Sequence, residues 1–144
     1  MIVLDTNVIS ELLRPVPAGQ VMSWIAAQPL DSTYTTSITQ AEMFYGVRIL
    51  PKGNRRTKLE QAIAAIFRED FAGRILPFDS GAAIAFAEIA AQRKLSGRAI
   101  PQADTQIAAI THFRRGHLAT RNISDFEDLS IPLINPWVSQ EASS

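Results

Sequence analysis

Four acids carry the chemical interest of this chain: Asp5, Glu42, Asp104 and Asp125. Each also has an ordinary local role. Asp5 follows an apolar run and could cap the next helix. Thr39-Gln40-Ala41-Glu42 has the S/T-x-x-E form of a capping box, and Ser124-Asp125-Phe126-Glu127 repeats it; such caps contribute about 1 kcal/mol each. Asp104, three residues after Pro101, falls in a first helical turn, where the helix dipole favours a carboxylate. Brought together, the four would do something else. Clustered carboxylates repel one another and raise their own pKa values, so such a cluster calls for a cation. An all-oxygen set suits Mg²⁺ or Mn²⁺, which keep several waters, so two direct carboxylates with the others acting through water would suffice. Asn7, Thr120 and Asn122 could orient those waters or a phosphate oxygen, or serve their own turns.

Whether the acids meet depends on the elements that carry them. β-rich runs recur at 2–4, 33–38, 75–78, 117–120 and 132–134, and most intervening segments have helical periodicity, which predicts an α/β fold. Leu59, Ala62, Ile63, Ile66 and Phe67 place an apolar stripe on a helix over 54–68. Val21, Trp24 and Ile25, and then Ala82, Phe86, Ile89 and Ala90, mark two more helices. In an open parallel sheet, ligands bind beyond the carboxyl ends of the strands, where strand order reverses. With the first strand central, that crevice opens between Leu4 and Thr120, and right-handed crossovers bring Glu42 and Asp104 to its mouth. Asp79 follows a strand at the sheet edge and reads as a helix cap. Gly46, one turn after Glu42, predicts a close approach, by a packed helix or by a substrate.

Composition narrows the alternatives. At 144 residues and 47% hydrophobic, the chain fits one domain, and the absence of Cys excludes thiolate metal sites, a Cys nucleophile and disulfides. There is no signal-peptide pattern and no apolar run near the ~20 residues of a membrane helix, so a cytoplasmic protein is expected. Lys+Arg and Asp+Glu balance at 14 each, but Arg48, Lys52, Arg55, Arg56 and Lys58 form an uninterrupted basic run that could hold a polyanion or simply line a solvated loop. No phosphate-loop, dinucleotide, nucleophile-elbow or zincin motif occurs. His112 and His117 read as structural, and Trp24 and Trp137 as core or interface. The polar tail from Ser139 onward is expected to be loose.

Five pieces of sequence taken in order resemble the PIN-domain ribonucleases, in particular VapC-type toxins of the FitB-like subgroup. They are M-I-V-L-D-T-N-V-I-S at the start, T-x-A-E-x-x-x-G around Glu42, A-D-x-x-I-A-A around Asp104, A-T-R-N-x-x-D-F at 119–126, and N-P-W at 135–137. The resemblance implies a single PIN domain over 1–144 with a five-stranded parallel sheet ordered 3-2-1-4-5. It implies Mg²⁺- or Mn²⁺-dependent cleavage of RNA, such as tRNA, to 5′-phosphate and 3′-hydroxyl ends. Asp5, Glu42 and Asp104 would be nearest the metal, supported by Asn7 and Thr120. Many members carry an acid two residues after the Thr, where this chain has Asn122, and Asp125 is the substitute. Arg48, Lys52, Arg55 and Arg56 are assigned to the RNA backbone. The resemblance further implies a homodimer and a cognate antitoxin lying across the pocket, with DNA bound only through that complex. The competing reading is a non-catalytic Mg²⁺-binding interaction module of receiver-like fold. Receivers, however, pair two acids after their first strand and need a later Lys, and no Lys follows Lys94. An aspartyl-phosphate phosphatase would want Asp-x-Asp where this chain has Asp5-Thr6-Asn7.

Overall fold

A computed structural model describes residues 1–139; most of the tail expected to be loose, 140–144, lies outside the described residues. Strands β1 (Ile2–Leu4), β2 (Thr33–Thr36), β3 (Ile75–Leu76), β4 (His117–Ala119) and β5 (Leu133–Ile134) form one parallel sheet ordered β3-β2-β1-β4-β5. Helices α1 (Thr6–Leu12), α2 (Gly19–Ala26), α3 (Ser37–Arg48), α4 (Asn54–Ala65), α5 (Ser80–Leu95), α6 (Gln102–Phe113) and α7 (Ile123–Phe126) complete it. Among the described residues no helix is long and apolar enough to cross a membrane.

Central strands read as continuous apolar runs because both sheet faces are covered. Successive side chains alternate faces, so Val3 joins the core built with Ala85, Ile89, Ile107, Ile110 and Phe126, while Leu4 joins the one built with Val8, Val21, Trp24, Met43 and Ile63. The α5–α6 pair closes tightly at Gly81, where a β-carbon would lie 2.1 Å from the Phe113 ring.

Several local expectations are corrected. The second strand stops two residues early because the Thr36 hydroxyl accepts the Thr39 N–H at 3.1 Å and starts α3 at Ser37. The Thr39–Glu42 capping box therefore does not form, and Glu42 is released from any capping duty. Ser124 likewise caps nothing, since Asn122 precedes α7. The helix over 54–68 divides into α4 and a wider turn over Ile66–Asp70, closed by the Phe71 N–H on the Ile66 carbonyl at 2.9 Å. Its stripe buries Ile63 and Phe67, whereas Ala62 is exposed. Gly46 meets nothing within 4 Å of a built β-carbon and faces an open groove instead of a packed helix. Asp79 caps α5 as expected, accepting the Ala82 N–H at 3.0 Å.

Candidate active site

The acids collect at the carboxyl ends of the strands, where the order reverses between β1 and β4. Asp5 leaves β1 and caps α1, its Oδ1 accepting the Thr6 N–H at 2.8 Å. Its Oδ2 accepts the Thr120 hydroxyl at 2.7 Å from beyond β4. The cap role and the site role thus coexist in one carboxylate. Asn7 Nδ2 spans the same corner, 3.4 Å from both Asp5 Oδ2 and Thr120 Oγ1. Glu42, on the second turn of α3, accepts the Thr6 hydroxyl at 2.7 Å through Oε1. Asp104 arrives on the first turn of α6.

Asp5, Glu42 and Asp104 line one open cavity of about 460 Å³ with Asn7, Asn122 and Thr6. Asp125 does not line it, but stands close enough on α7 to act on Asp5 and Asp104 through its charge. Burial pushes the Asp5 carboxyl up; hydrogen bonds from Thr120 and Thr6 oppose this, and the charges of Glu42 and Asp125 add to it. Asp104 is pushed up to about 6, first by burial and then by Asp5, Glu42 and Asp125. Among the described residues no Lys or Arg forms a salt bridge with Asp5, Glu42 or Asp104. Removing charge from water without a counterion is unfavourable, so the cluster as built is short of positive charge. Among the described residues no group of three acids or histidines forms a ready-made metal cage. A hard cation placed here would be held by a minority of direct carboxylates and completed by waters.

The basic run divides. Arg48 and Arg56 turn to Glu60, at 3.1 and 3.9 Å. Lys52, Arg55 and Arg56 border a shallow surface hollow of their own, and of the run only Arg55 reaches the groove beside the acid cavity. That groove, about 620 Å³, runs between α1, α3 and α4 over Leu13, Met43, Val47 and Ile63, and shares Thr6, Ser10, Arg14 and Glu42 with the cavity.

Sequence reasoning missed other cavity residues: Thr6, Ser10, Glu11, Arg14, Arg121 and Trp137. Thr6 and Arg121 were available as neighbours of Asp5 and Thr120. No motif marks Glu11 or Arg14; helical spacing puts Glu11 one turn along from Asn7 on α1, and Arg14 lies just past the helix end.

A family model described as PIN domain matches residues 2–131. The chain belongs to the PIN-domain family. Within it the chain is similar to VapC ribonuclease Y4jK of Sinorhizobium fredii, 43% identical over 95% of this chain and 98% of that one. Toxin FitB of Neisseria gonorrhoeae is 39% identical over 95% and 99%. Among solved structures, FitAB bound to a DNA fragment matches with a TM-score of 0.90 at 39% identity, covering 99% of each chain. The sheet order observed here is the one the PIN resemblance implied, and this chain stands among VapC- and FitB-type proteins of toxin–antitoxin systems.

Proposed function

We propose that this PIN-domain protein is a Mg²⁺- or Mn²⁺-dependent endoribonuclease, the toxin of a toxin–antitoxin pair. The observation that carries the reading is the convergence of Asp5, Glu42 and Asp104 in one cavity, where among the described residues none of the three is ion-paired with a cation. Asp5 and Asp104 would hold the ion, with Glu42 and Asp125 acting through its waters. When bound, the ion supplies a Lewis acid for the scissile phosphate and a more acidic water. Thr120 and Asn7 fix the Asp5 carboxylate in orientation, so that little rearrangement is needed on binding. Thr6 donates to Glu42 Oε1, and Oε2 would be the oxygen left to accept a proton from a water. Attack in line with the P–O3′ bond breaks that bond and leaves the proton on O3′, giving 5′-phosphate and 3′-hydroxyl ends.

Structured RNA such as tRNA is the substrate class. The apolar groove continuous with the cavity suits an antitoxin segment, with a basic side chain reaching the acids; the FitAB structures support that partnership. In this reading a homodimer carries two such sites in the cytoplasm, and DNA contact belongs to the antitoxin. The receiver-like alternative gains nothing from the structure, since Asp79, the acid after the third strand, caps α5 and pairs with Arg114 at 3.2 Å.

The test is cleavage of total tRNA by purified protein in Mg²⁺, Mn²⁺ or chelator, beside folded Asp5→Asn and Glu42→Gln variants. Metal-dependent cutting that both variants lose is the expected result. Equal cutting by wild type and variants, or none at all while Mn²⁺ binds, would overturn it.

A further inference from the structure

The cavity has two electrical characters. Besides the acids it is lined by Arg14 and Arg121, with Glu11 and Trp137 beside them. Among the described residues neither arginine is ion-paired with Asp5, Glu42 or Asp104, although the charge of each acts on Glu11. Each is instead held by a neighbour of its own. Arg14, with its side chain 65% exposed, is tethered by a single 3.4 Å contact to Glu11 Oε1. Glu11 is itself buried and anchored, its Oε2 accepting the Ala18 N–H at 2.9 Å at the start of α2, where no side-chain cap exists. Arg121, exposed, holds its guanidinium over the Trp137 ring at 5.1 Å, and its backbone N–H meets Asn7 Oδ1 at 3.4 Å. Among the described residues no acceptor takes a hydrogen bond from the Arg121 guanidinium.

Such arginines are pre-positioned and unsaturated. A guanidinium fixed against an aromatic ring loses little freedom on binding and keeps its N–H edge for phosphate oxygens. Its outer face remains open for an unstacked base, which only a single-stranded or looped segment can offer.

We propose that Arg14 and Arg121, with Glu11 and Trp137 as their positioning residues, form a phosphate clamp beside the acids. The clamp grips the RNA backbone at a phosphodiester flanking the scissile one, in an unpaired segment. The assignment rests on the nuclease reading and refines it by moving the polyanion contact away from the Arg48–Lys58 run, where Arg48 and Arg56 are engaged by Glu60.

The test measures anisotropy of a labelled single-stranded oligoribonucleotide in chelator across a salt series, then KM and kcat with Mn²⁺. Arg14→Ala and Arg121→Ala should each flatten the slope of log Kd against log salt by about 0.7. Each should raise KM on the order of 10-fold, with kcat within about 3-fold. Arg121→Lys should keep the slope but recover only part of the affinity, and Trp137→Ala should weaken binding in the same direction as Arg121→Ala. Both arginines are exposed, and melting temperatures report whether each variant is folded. Unchanged slope and KM in both arginine variants, or a slope that falls only in Lys52→Ala/Arg55→Ala, would overturn the clamp while wild-type cleavage leaves the nuclease reading standing. Wild type that binds no RNA would overturn both.

Discussion

Asp104→Asn should stabilise the metal-free protein at neutral pH while abolishing metal-dependent activity. The folded protein holds the Asp104 proton up to about 6, whereas the unfolded chain releases it near 3.8. A proton bound more tightly by the folded state means that stability falls as pH rises through that window, and the full cost is present above it. For a fully buried carboxyl this difference would be worth about 3 kcal/mol. Asp104 is only half-buried, so solvent screening reduces the figure, and the favourable place of an acid in the first turn of α6 offsets a little more. A net gain of about 1 kcal/mol remains for the Asn variant, or about 3 °C in Tm for a chain of this size. Chemical denaturation in chelator at a series of pH values measures it directly. The gain should vanish below pH 3.8, where Asp104 is protonated in both states. Added Mn²⁺ should reverse the order, since an ion that binds only the folded wild type raises its stability. An Asn variant no more stable than wild type at neutral pH, or equally favoured at acid pH, would refute the claim that Asp104 is held against repulsion and burial.

Other consequences follow from single contacts. Thr120→Val removes the buried hydroxyl that donates to Asp5 at 2.7 Å; it should cost about 1–2 kcal/mol and shift the acid limb of the kcat/KM profile to higher pH, because the hydrogen bond favours the charged carboxylate. Thr6→Val frees Glu42 Oε1 and should lower kcat about 10-fold with little change in Mn²⁺ affinity, read by steady-state kinetics beside calorimetry. Leu118→Ala opens a cavity beneath a fully buried strand residue and should cost about 3–4 kcal/mol in urea unfolding.

Much of the fold was legible because parallel strands buried on both faces announce themselves as apolar runs; Ile2–Leu4 and His117–Ala119 needed no structure to be found. Strand order came from the family resemblance and not from periodicity. Boundaries failed where side-chain chemistry overrode pattern: Ser37 and Ile38 read as strand, yet the Thr36 hydroxyl ends the strand before them by capping α3. Asp5 and Asp104 were legible because one follows a strand and the other opens a helix leading into one. The arginines were not, because Arg121 and Trp137 are joined only when β4 and β5 lie side by side, and Arg14 is fixed through the buried Glu11. Counting charge along the chain marks the Arg48–Lys58 run, in which Arg48 and Arg56 turn to Glu60 just past its end.

The central claim is that these carboxylates exist to hold a divalent cation, and calorimetric titration of Mn²⁺ into chelator-stripped protein tests it most directly. Wild type should bind the ion with proton release that grows as pH falls toward 6, and Asp5→Asn and Asp104→Asn, both folded, should bind far more weakly. Binding of equal strength in wild type and both variants, or no binding by the wild type, would contradict it.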